Sequence, residues 1–335
     1  MASTMAWGVL SPAGIAVNKV IPGMLKSPGV RLAAIASRDA GRARAAADRF
    51  GVAKAYGSYE ELLADPEIGA VYNPLPNHLH VPWSVAALRA GKHVLCEKPI
   101  ALTAAEAADL VTVRDETGRQ VLEAFMVRQH PQWLRVRDLV RDGAIGDVRL
   151  VQTTLSYFNV DPANVRNKAD IGGGALYDIG CYAVLLSRFV FGAEPRRAVS
   201  LVDRDPDMGT DRLTSGLVDF GEGRRLAFST ATQLVRAQRM EIFGTTGRIE
   251  VPVALNAPQD GTTTILVDIG GAIDGSGIRS ETLPACDQYM LQAETAMRVF
   301  RGEEAAEFPI EDAVANMRVV DALYRSGANG SWQDV

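Results

Sequence analysis

The chain has 335 residues, a length typical of two domains. Hydrophobic residues make up 47% of it, which allows large cores and argues against disorder. The net charge is −5 and no basic stripe is visible, so nucleic acid is not an expected partner. Cys96, Cys181 and Cys286 lie far apart without metal-ligand spacing, which favours free thiols in a reducing cytoplasm and no metal site.

Signals for export or membrane insertion are not expected. Residues 1–6 lack a charged region followed by a long apolar run, so no signal peptide is predicted. The chain has no continuous run of about 18 apolar residues, so no membrane span is predicted.

The chain begins with a predicted strand at 6–10, a turn of small residues at 11–14 and a helix at 15–22. This order is that of a phosphate-binding unit, in which the helix N-terminus favours a pyrophosphate. The three glycine positions of the usual fingerprint hold Ser11, Ala13 and Ala16, so the motif alone is weak.

The next strand, 31–36, ends at Ser37-Arg38-Asp39. NAD sites usually carry an acidic residue here for the ribose hydroxyls, whereas a hydroxyl and a guanidinium suit a 2′-phosphate. The sequence therefore favours NADP(H) over NAD(H), although Asp39 is close enough to compete. An arginine that only caps an ordinary turn is the alternative.

The alternation of strands and helices continues to residue 125. Helices are predicted at 40–50, 59–63, 78–90 and 103–117, with Ser58 and Thr103 as N-caps, and strands at 70–72 and 120–125. This pattern predicts an α/β fold with a doubly wound parallel sheet, and residues 1–126 as a Rossmann dinucleotide-binding domain.

The segment 73–80 follows a strand and contains two prolines that fix an extended loop. Such a loop could lie along the nicotinamide ribose and the pyrophosphate, with Asn77 placed to cap the next helix. His78 and His80 lack a nearby carboxylate or thiolate and form a poor metal-ligand set. Helix capping and surface placement are expected for them instead.

The run His93–Pro99 ends an apolar strand on a carboxylate, an amine and a proline. Pro99 disfavours the α region at Lys98, and ligands of open α/β sheets bind at the carboxyl ends of strands. Lys98 is therefore a candidate donor to a substrate oxygen. Taken alone, the run fits a solvated lysine beside a turn proline better.

Residues 127–335 follow a different pattern, which predicts an α+β substrate-binding domain with a mainly antiparallel open sheet. A sheet with one apolar face uncovered is usually closed by another subunit, so a homodimer or higher homo-oligomer is expected. Helices are predicted at 130–142, 174–190, 288–300 and 311–325, and strands at 148–158, 198–203, 212–220, 224–231, 239–244, 247–253 and 262–268.

The stretch Gly172–Tyr182 places three glycines before a helix on which Asp178 and Tyr182 share one face. A carboxylate and a phenol there make a candidate proton-transfer pair. A phenol has an ordinary pKa near 10 and needs a neighbouring cation, which Lys98 could supply. Without Lys98, a capping aspartate and a core tyrosine are the simpler interpretation.

Together these stretches closely resemble the Gfo/Idh/MocA oxidoreductase family. Tyr182 is typical of the branch with dimeric dihydrodiol dehydrogenase, NADP-dependent D-xylose dehydrogenase and glucose–fructose oxidoreductase, where many other members have His. The stretches that carry the resemblance are 7–10, 36–38, 75–80, 96–99, 123–126 with Arg128 and 130–132, and 172–182.

The resemblance implies hydride exchange between NADP(H) and a carbinol or carbonyl carbon of a sugar or cyclic diol. Lys98 would hydrogen-bond the reacting oxygen and lower the phenol's pKa, Tyr182 would be the general acid/base, and Asp178 would orient substrate and lysine. It also implies a cis peptide before Pro99 and a last helix, 311–325, that packs on the first domain. Ser37 and Arg38 would hold the 2′-phosphate, Arg128 and Arg166 would lie in the substrate pocket, and further cofactor contacts would come from Ser11, Ala13, Gly14, Ile15, Leu75, Pro76, Asn77, His80, Glu97 and Lys98.

Three departures from the family pattern affect these expectations. The small residues at the glycine positions, with Pro12 between them, could weaken cofactor binding. Asn73 would put a polar group near the nicotinamide, and Val127 replaces an aromatic residue, which affects substrate preference. Two alternative functions are a glycosidase that uses nicotinamide only transiently and an NADP-binding protein without catalysis.

Overall fold

The computed structural model describes residues 4–335, so the first residues on which the absence of a signal peptide was argued, 1–3, lie outside the described residues. The chain divides into two compact units. The first comprises the chain up to Met126 together with Asp287–Val314, and the second comprises Val127–Cys286 and Ala315–Val335.

The first unit is built on a six-stranded sheet in the order β3-β2-β1-β4-β5-β6, and every neighbouring pair is parallel. This arrangement confirms the predicted doubly wound sheet, to which the structure adds the short β3. The strands are β1 Met5–Leu10, β2 Val30–Ala36, β3 Lys54–Tyr56, β4 Ala70–Asn73, β5 His93–Cys96 and β6 Val121–Glu123.

The helices between these strands begin where their capping residues allow. The Ser58 hydroxyl accepts a hydrogen bond from the Glu61 N–H, and the Thr103 hydroxyl accepts one from the Glu106 N–H, so both predicted N-caps are confirmed. The helices are a π-helical turn Ala16–Val20 that continues into α1 Ile21–Met24, then α2 Ala40–Phe50, α3 Tyr59–Ala64, α4 His80–Arg89 and α5 Ala104–Thr117.

The start of α4 differs from the sequence prediction. Residues Asn77–Leu79 form a separate 3₁₀ turn, and α4 begins at His80 with Leu79 in the N-cap position and no side-chain cap bond. The expected cap by Asn77 is therefore wrong. The Leu79 N–H instead donates to the Pro76 carbonyl at 2.8 Å, which closes the turn before the helix starts.

Helix α8 (Gln288–Phe300) belongs to the first unit although it follows the whole second sheet in the chain. The Phe300 ring lies 5.5 Å from the Trp7 ring and stacks 4.9 Å from the His93 ring, measured between centroids. A Cβ at Gly23 of α1 would lie 2.7 Å from the Tyr289 Cβ, so this glycine permits the close packing. The division thus differs from a single cut at residue 126.

The second unit contains a nine-stranded sheet in the order β14-β13-β12-β11-β7-β10-β9-β8-β15. Only β7 and β10 pair in parallel among the described pairs of this sheet, so it is mainly antiparallel, as predicted. The sequence prediction missed β14 and β15. The strands are β7 Val148–Phe158, β8 Arg197–Arg204, β9 Asp211–Gly221, β10 Arg224–Ala231, β11 Gln233–Gly244, β12 Arg248–Val251, β13 Thr263–Asp268, β14 Ile278–Leu283 and β15 Gln333–Asp334.

Three helices accompany this sheet: α6 Pro131–Arg141, α7 Cys181–Phe191 and the part of α9 (Ile310–Asn329) that follows Val314. A π-helical turn, Leu176–Gly180, leads into α7, which packs against β7 and β10. The segment Ala169–Phe191 is apolar and long enough to cross a membrane, but 78% of its most apolar window is buried inside the protein. The segment therefore has the burial of a core helix.

The last helix contributes to both units. In its first turn, Glu311 accepts two hydrogen bonds from the Arg114 guanidinium of α5, at 2.6 and 2.8 Å. Further along, the Ser200 hydroxyl of β8 donates to the Leu323 carbonyl at 2.6 Å, and the Ser200 N–H donates to the Ser326 hydroxyl. The part of this helix up to Val314 thus belongs to the first unit and the remainder to the second.

The nine-stranded sheet keeps apolar side chains on its surface. In β9, Val218 and Phe220 are buried, whereas Leu217, which directly precedes Val218, is exposed. Leu201 of β8 is 78% exposed and Val235 of β11 is 84% exposed. An alternating pattern with apolar residues on both sides is typical of a sheet that is covered on more than one face.

Candidate active site

The predicted lysine sits at the carboxyl end of β5, which lies between β4 and the edge strand β6 of the parallel sheet. The Glu97 N–H donates to the Asn73 carbonyl of β4 at 3.0 Å, and the Ala124 N–H donates to the Cys96 carbonyl at 2.7 Å, so neighbouring strands on both sides hold this strand end. Lys98 is half-buried, and the peptide bond between Lys98 and Pro99 is cis, as the resemblance implied. The backbone that carries Lys98 is therefore held at the carboxyl end of the strands, where ligands of such sheets bind.

Glu97, the carboxylate of this run, faces a buried phenol. The Tyr72 hydroxyl donates to its Oε1 at 2.6 Å, and Tyr72 has no exposed surface. Burial and the Glu97 charge raise the pKa of Tyr72 well above its ordinary value, so Tyr72 remains a neutral donor. One oxygen of Glu97 is thus committed inside the unit, and the other lies 3.4 Å from the Lys98 N–H.

His80, the first residue of α4, contacts the same strand end. It is only 1% exposed, so the expected surface placement is wrong. Its Nδ1 lies 2.7 Å from the Pro99 carbonyl oxygen and its Nε2 lies 2.7 Å from the Leu75 carbonyl oxygen. The ring is held by backbone on both sides and contributes almost no surface of its own.

Asn73 is the polar residue expected near the nicotinamide. Its side chain is fully buried and donates to the His80 carbonyl at 3.1 Å and to the Ser84 hydroxyl at 3.2 Å, while its Oδ1 accepts from the Leu75 N–H at 3.3 Å. Asn73 therefore has no exposed surface in this structure. Its amide folds the loop back onto α4.

The phosphate-binding turn keeps a glycine-like backbone without a glycine at its first position. Ser11 directly follows β1 and has a φ of 123°, in the region that favours glycine, at a cost of about 1–3 kcal/mol. Ala13, Gly14 and Ile15 lie between it and the helical turn, and Ala16 is fully buried at the start of that turn. The small residues thus leave the helix start accessible to a phosphate.

The end of β2 presents the residues predicted to choose between the two nicotinamide cofactors. Arg38 is exposed, and Ser37 is buried with its Oγ accepting from the Asp39 N–H at 3.2 Å. The Asp39 side chain caps α2 by accepting from the Arg42 N–H at 3.1 Å. The one competing carboxylate in Ser37-Arg38-Asp39 is therefore engaged by the helix.

In the second unit, the glycines before α7 permit a tight return of the chain. Gly172 and Gly174 have φ values of 83° and 125°, and a Cβ at Gly173 would lie 2.6 Å from the Arg166 carbonyl oxygen. The Gly174 N–H donates to that carbonyl at 2.9 Å. The loop thereby brings Arg166 back to the helix start.

Asp178 is held there by two side chains that donate to the same oxygen. The Tyr157 hydroxyl of β7 lies 2.7 Å and the Arg166 Nε lies 2.9 Å from Oδ2 of Asp178. Burial and the Asp178 charge raise the pKa of Tyr157, so it stays protonated and donates. Arg166 was predicted, but nothing in the pattern of β7 distinguished Tyr157.

Asp211 of β9, which was not among the predicted residues, holds the start of this helix through hydrogen bonds. Its Oδ2 accepts from the Leu176 N–H at 2.7 Å and from the Thr214 hydroxyl at 3.1 Å, and its Oδ1 accepts from the Tyr324 hydroxyl at 2.9 Å. Burial raises the pKa of Asp211. A single Asp at a strand start carries no local signal of such a role.

The structure thus groups the predicted residues within each unit. Lys98, Glu97 and His80 meet at one strand end of the first unit, and Asp178 and Arg166 meet at the helix start of the second. Tyr182 lies on the first turn of α7 and is 4% exposed, and Arg128 is 6% exposed.

Within residues 4–335, no group of His, Cys, Asp and Glu side chains could hold a metal ion. No disulfide joins the three cysteines, all of which lie within residues 4–335, and Cys286 is only partly buried whereas Cys96 and Cys181 are buried.

Comparison with known proteins identifies both parts of the chain. Residues 13–125 match the oxidoreductase family with an NAD-binding Rossmann fold, GFO_IDH_MocA, and residues 133–250 match the GFO/IDH/MocA C-terminal domain. An uncharacterized oxidoreductase of Rhizobium meliloti is 46% identical over 98% of each chain. The D-xylose 1-dehydrogenase (NADP(+)) 2 of Haloferax volcanii is 37% identical over 98% of each chain.

A solved structure is similar along its whole length. A 3-ketoreductase from Actinomadura kijaniata, in complex with NADP and TDP-benzene, is 29% identical and superposes with a TM-score of 0.91 over 97% of this chain and 98% of that chain. With the parallel sheet, the antiparallel sheet and the full-length relatives in agreement, the chain belongs to the GFO/IDH/MocA family of oxidoreductases.

Proposed function

We propose that this oxidoreductase transfers a hydride between NADP(H) and a carbinol or carbonyl carbon of a sugar, a sugar derivative or a cyclic diol. The observation that carries the proposal is a pair of features: Lys98 fixed at the end of β5, and a helix start that carries Asp178 and Tyr182. The relatives named above as a xylose dehydrogenase and a ketoreductase support this class of substrate.

The residues at the end of β2 support NADP(H) as the cofactor. Arg38 is exposed and can pair with a 2′-phosphate, with the Ser37 hydroxyl beside it in the chain. Asp39, which would favour the ribose hydroxyls of NAD, caps α2 instead. The turn 11–16 would hold the pyrophosphate at its helix start. Leu75, Pro76 and Asn77 would line the nicotinamide side.

Bound NADP(H) supplies or accepts the hydride, and the chain's own residues move the proton. In oxidation, Tyr182 takes the proton of the substrate hydroxyl, and in reduction it returns a proton to the carbonyl oxygen. Lys98 donates a hydrogen bond to the same oxygen, and its charge makes the phenolate more accessible. Asp178, held by Tyr157 and Arg166, orients the substrate.

The substrate pocket would include Arg128 and Arg166 in addition to Asp178 and Tyr182. The Arg166 guanidinium is 43% exposed and already pairs with Asp178, so its charge is largely compensated. A compensated guanidinium suits hydroxyl groups better than a phosphate, which favours a neutral polyol.

We further propose a homodimer or a higher homo-oligomer in the cytoplasm, formed through the nine-stranded sheet. The exposed Leu201, Leu217 and Val235 support this assembly because soluble monomers rarely leave such an apolar face open. Sedimentation equilibrium should show at least a dimer, and a monomer at micromolar concentration would contradict the proposal.

A substrate screen tests the function directly. Purified protein is mixed with NADP+ or NAD+ and a panel of aldoses, polyols and cyclic diols, or with NADPH and ketosugars, and the absorbance of the reduced nicotinamide is followed. We expect turnover with NADP(H) and at least one polyol or sugar. Glycoside cleavage without net absorbance change would indicate a nicotinamide-dependent glycosidase, and binding without any turnover would indicate a non-catalytic protein.

A further inference from the structure

The loop after β4 and the run after β5 are joined by one side chain. His80 lies with Nδ1 2.7 Å from the Pro99 carbonyl oxygen and Nε2 2.7 Å from the Leu75 carbonyl oxygen. Pro99 directly follows Lys98, and Leu75 opens the segment expected along the nicotinamide side. The ring therefore spans the gap between two strand ends.

The carbonyl oxygens of Pro99 and Leu75 compete for the N–H of the His80 ring. Carbonyl oxygens only accept, so the ring must donate to both, but a neutral imidazole carries one N–H. Burial lowers the pKa of His80 to about 4, so the ring is neutral near pH 7 and its proton serves one carbonyl at a time. A change that favours one contact weakens the other.

The surroundings leave the ring little freedom. His80 is 1% exposed, and its own carbonyl accepts from the Asn73 side chain, which also accepts from the Leu75 N–H. On the other side, the Ile100 N–H donates to Glu123 Oε1 at 2.8 Å, which holds the chain just past Pro99. Both partner segments are thus fixed relative to α4, and the ring lies between them.

We propose that His80 is a positioning residue that couples the cofactor loop to the catalytic lysine. Its Nε2 contact sets the position of Leu75–Asn77 and hence the affinity for NADP(H). Its Nδ1 contact sets the position of the Lys98 amine and hence the rate of turnover. The inference rests on the proposed function of Lys98, and it assigns His80 an indirect role where the resemblance implied direct contact with the cofactor.

Two substitutions separate the two contacts. In His80→Asn the amide stands where Nδ1 stands and can still donate to Pro99, but it cannot reach Leu75. In His80→Gln the amide stands where Nε2 stands and can still donate to Leu75, but the Pro99 contact is lost. His78→Gln, two residues earlier, is the matched control.

We expect His80→Asn to raise the Kd for NADP+ about tenfold, measured by fluorescence titration, with little change of kcat at saturating cofactor. We expect His80→Gln to lower kcat about tenfold with little change of that Kd. His80→Ala should show both effects, and His78→Gln neither. A purely structural role would give the same pattern in both variants, in proportion to the folded fraction, and would overturn the proposal.

A second readout does not depend on turnover. The rate at which Lys98 of the cofactor-free protein is acetylated, followed by peptide mass spectrometry, should change in His80→Gln and not in His80→Asn. If the wild-type protein turns over no substrate, the proposed function fails, while the labelling rates and NADP+ affinities still decide the role of His80. Equal labelling of Lys98 in both variants contradicts the coupling.

Discussion

The candidate residues around Lys98 in the first unit and those around Asp178 in the second, which we call the lysine half and the Asp178 half, are held in opposite ways. At the end of β5, the side chains of Tyr72, Asn73 and His80 are at most 1% exposed and bond mainly to backbone. At the start of α7, Asp178 is held by Arg166, whose side chain is 43% exposed, in an ion pair. One half is a buried network of neutral donors, and the other is an ionic contact open to water.

This difference predicts different behaviour. A buried network is rigid and insensitive to salt, because each group that loses its partner is left unsatisfied away from water. An exposed ion pair contributes only about 0–1 kcal/mol and is screened by salt. The residues of the lysine half are therefore ordered before a substrate binds, whereas the contacts of the Asp178 half can rearrange when it binds.

The largest effects are expected at the groups that handle the proton. Lys98→Ala and Tyr182→Phe should each lower kcat by about 10²–10⁴, measured at saturating NADP+ and substrate. Tyr177→Phe removes a phenol from the same helical turn and should keep kcat. A rate near that of the wild type in either variant would remove that residue from the proposed chemistry.

The cofactor half should respond separately from the substrate half. Arg38→Ala should raise the Kd for NADP+ by about 10–100-fold through loss of a charge-assisted contact, with little effect on NAD+ or on the substrate KM. Arg42→Ala removes the same charge one turn away and serves as the control. Equal weakening of both cofactors would mean that Arg38 does not read the 2′-phosphate.

Asp211 sharpens the comparison, because it is a buried carboxylate that accepts a hydrogen bond from the start of the helix that carries Asp178. Asp211→Ala leaves three donors without their acceptor and should lower the free energy of unfolding by about 3 kcal/mol. Urea denaturation followed by circular dichroism measures this loss.

The pH dependence of stability at Asp211 has a definite sign. Burial raises its pKa in the folded state, so the folded protein holds this proton more tightly than the unfolded chain does. The contribution of Asp211 to the free energy of unfolding is fully present at pH values below its ordinary pKa of 3.8. It is lost as pH rises through the raised pKa of the folded state. The stability of the wild type relative to Asp211→Asn should therefore fall as pH rises above the ordinary value of 3.8, and a constant difference would contradict it.

The smallest effects are expected at the exposed ion pair. Arg166→Ala and Tyr157→Phe should each raise the substrate KM about threefold, because an exposed pair and one hydrogen bond contribute little. Arg166→Ala should also reduce the salt dependence of KM. Arg212→Ala, which breaks an exposed pair with Asp203 in the same unit, should change neither. An effect as large as that of Lys98→Ala would reverse the comparison.

Much of the fold could be predicted because local patterns of capping residues and hydrophobic residues determine it. Helices α2 and α8 and strand β10 begin and end at the predicted residues, since their caps and alternation lie within the segments themselves. Strand β15 has two residues and pairs only with β8, so nothing local distinguishes it. The short 3₁₀ turn before α4 was missed for the same reason.

The candidate site was less accessible to sequence reasoning. Lys98, Asp178 and Arg166 stand in motifs, whereas Tyr72, Tyr157 and Asp211 act through partners distant in sequence, as in the bond from Tyr157 to Asp178. His80 was placed on the surface because its two acceptors are carbonyls of the backbone, which no residue pattern reveals. The catalytic roles remain predictions for the variants above.

The return of the chain to its first unit has a consequence for biogenesis. Trp7 and His93 are made early, but Phe300, whose ring covers both, leaves the ribosome only after the entire second sheet. The nucleotide-binding half therefore cannot complete its core during synthesis until the rest has been made. Burial of one such ring stabilises a core by about 1.5–3 kcal/mol. A nascent chain stalled before α8 would thus expose an apolar surface to chaperones, because a helix made after strands β7 to β14 of the second sheet completes the core of the unit that is made first.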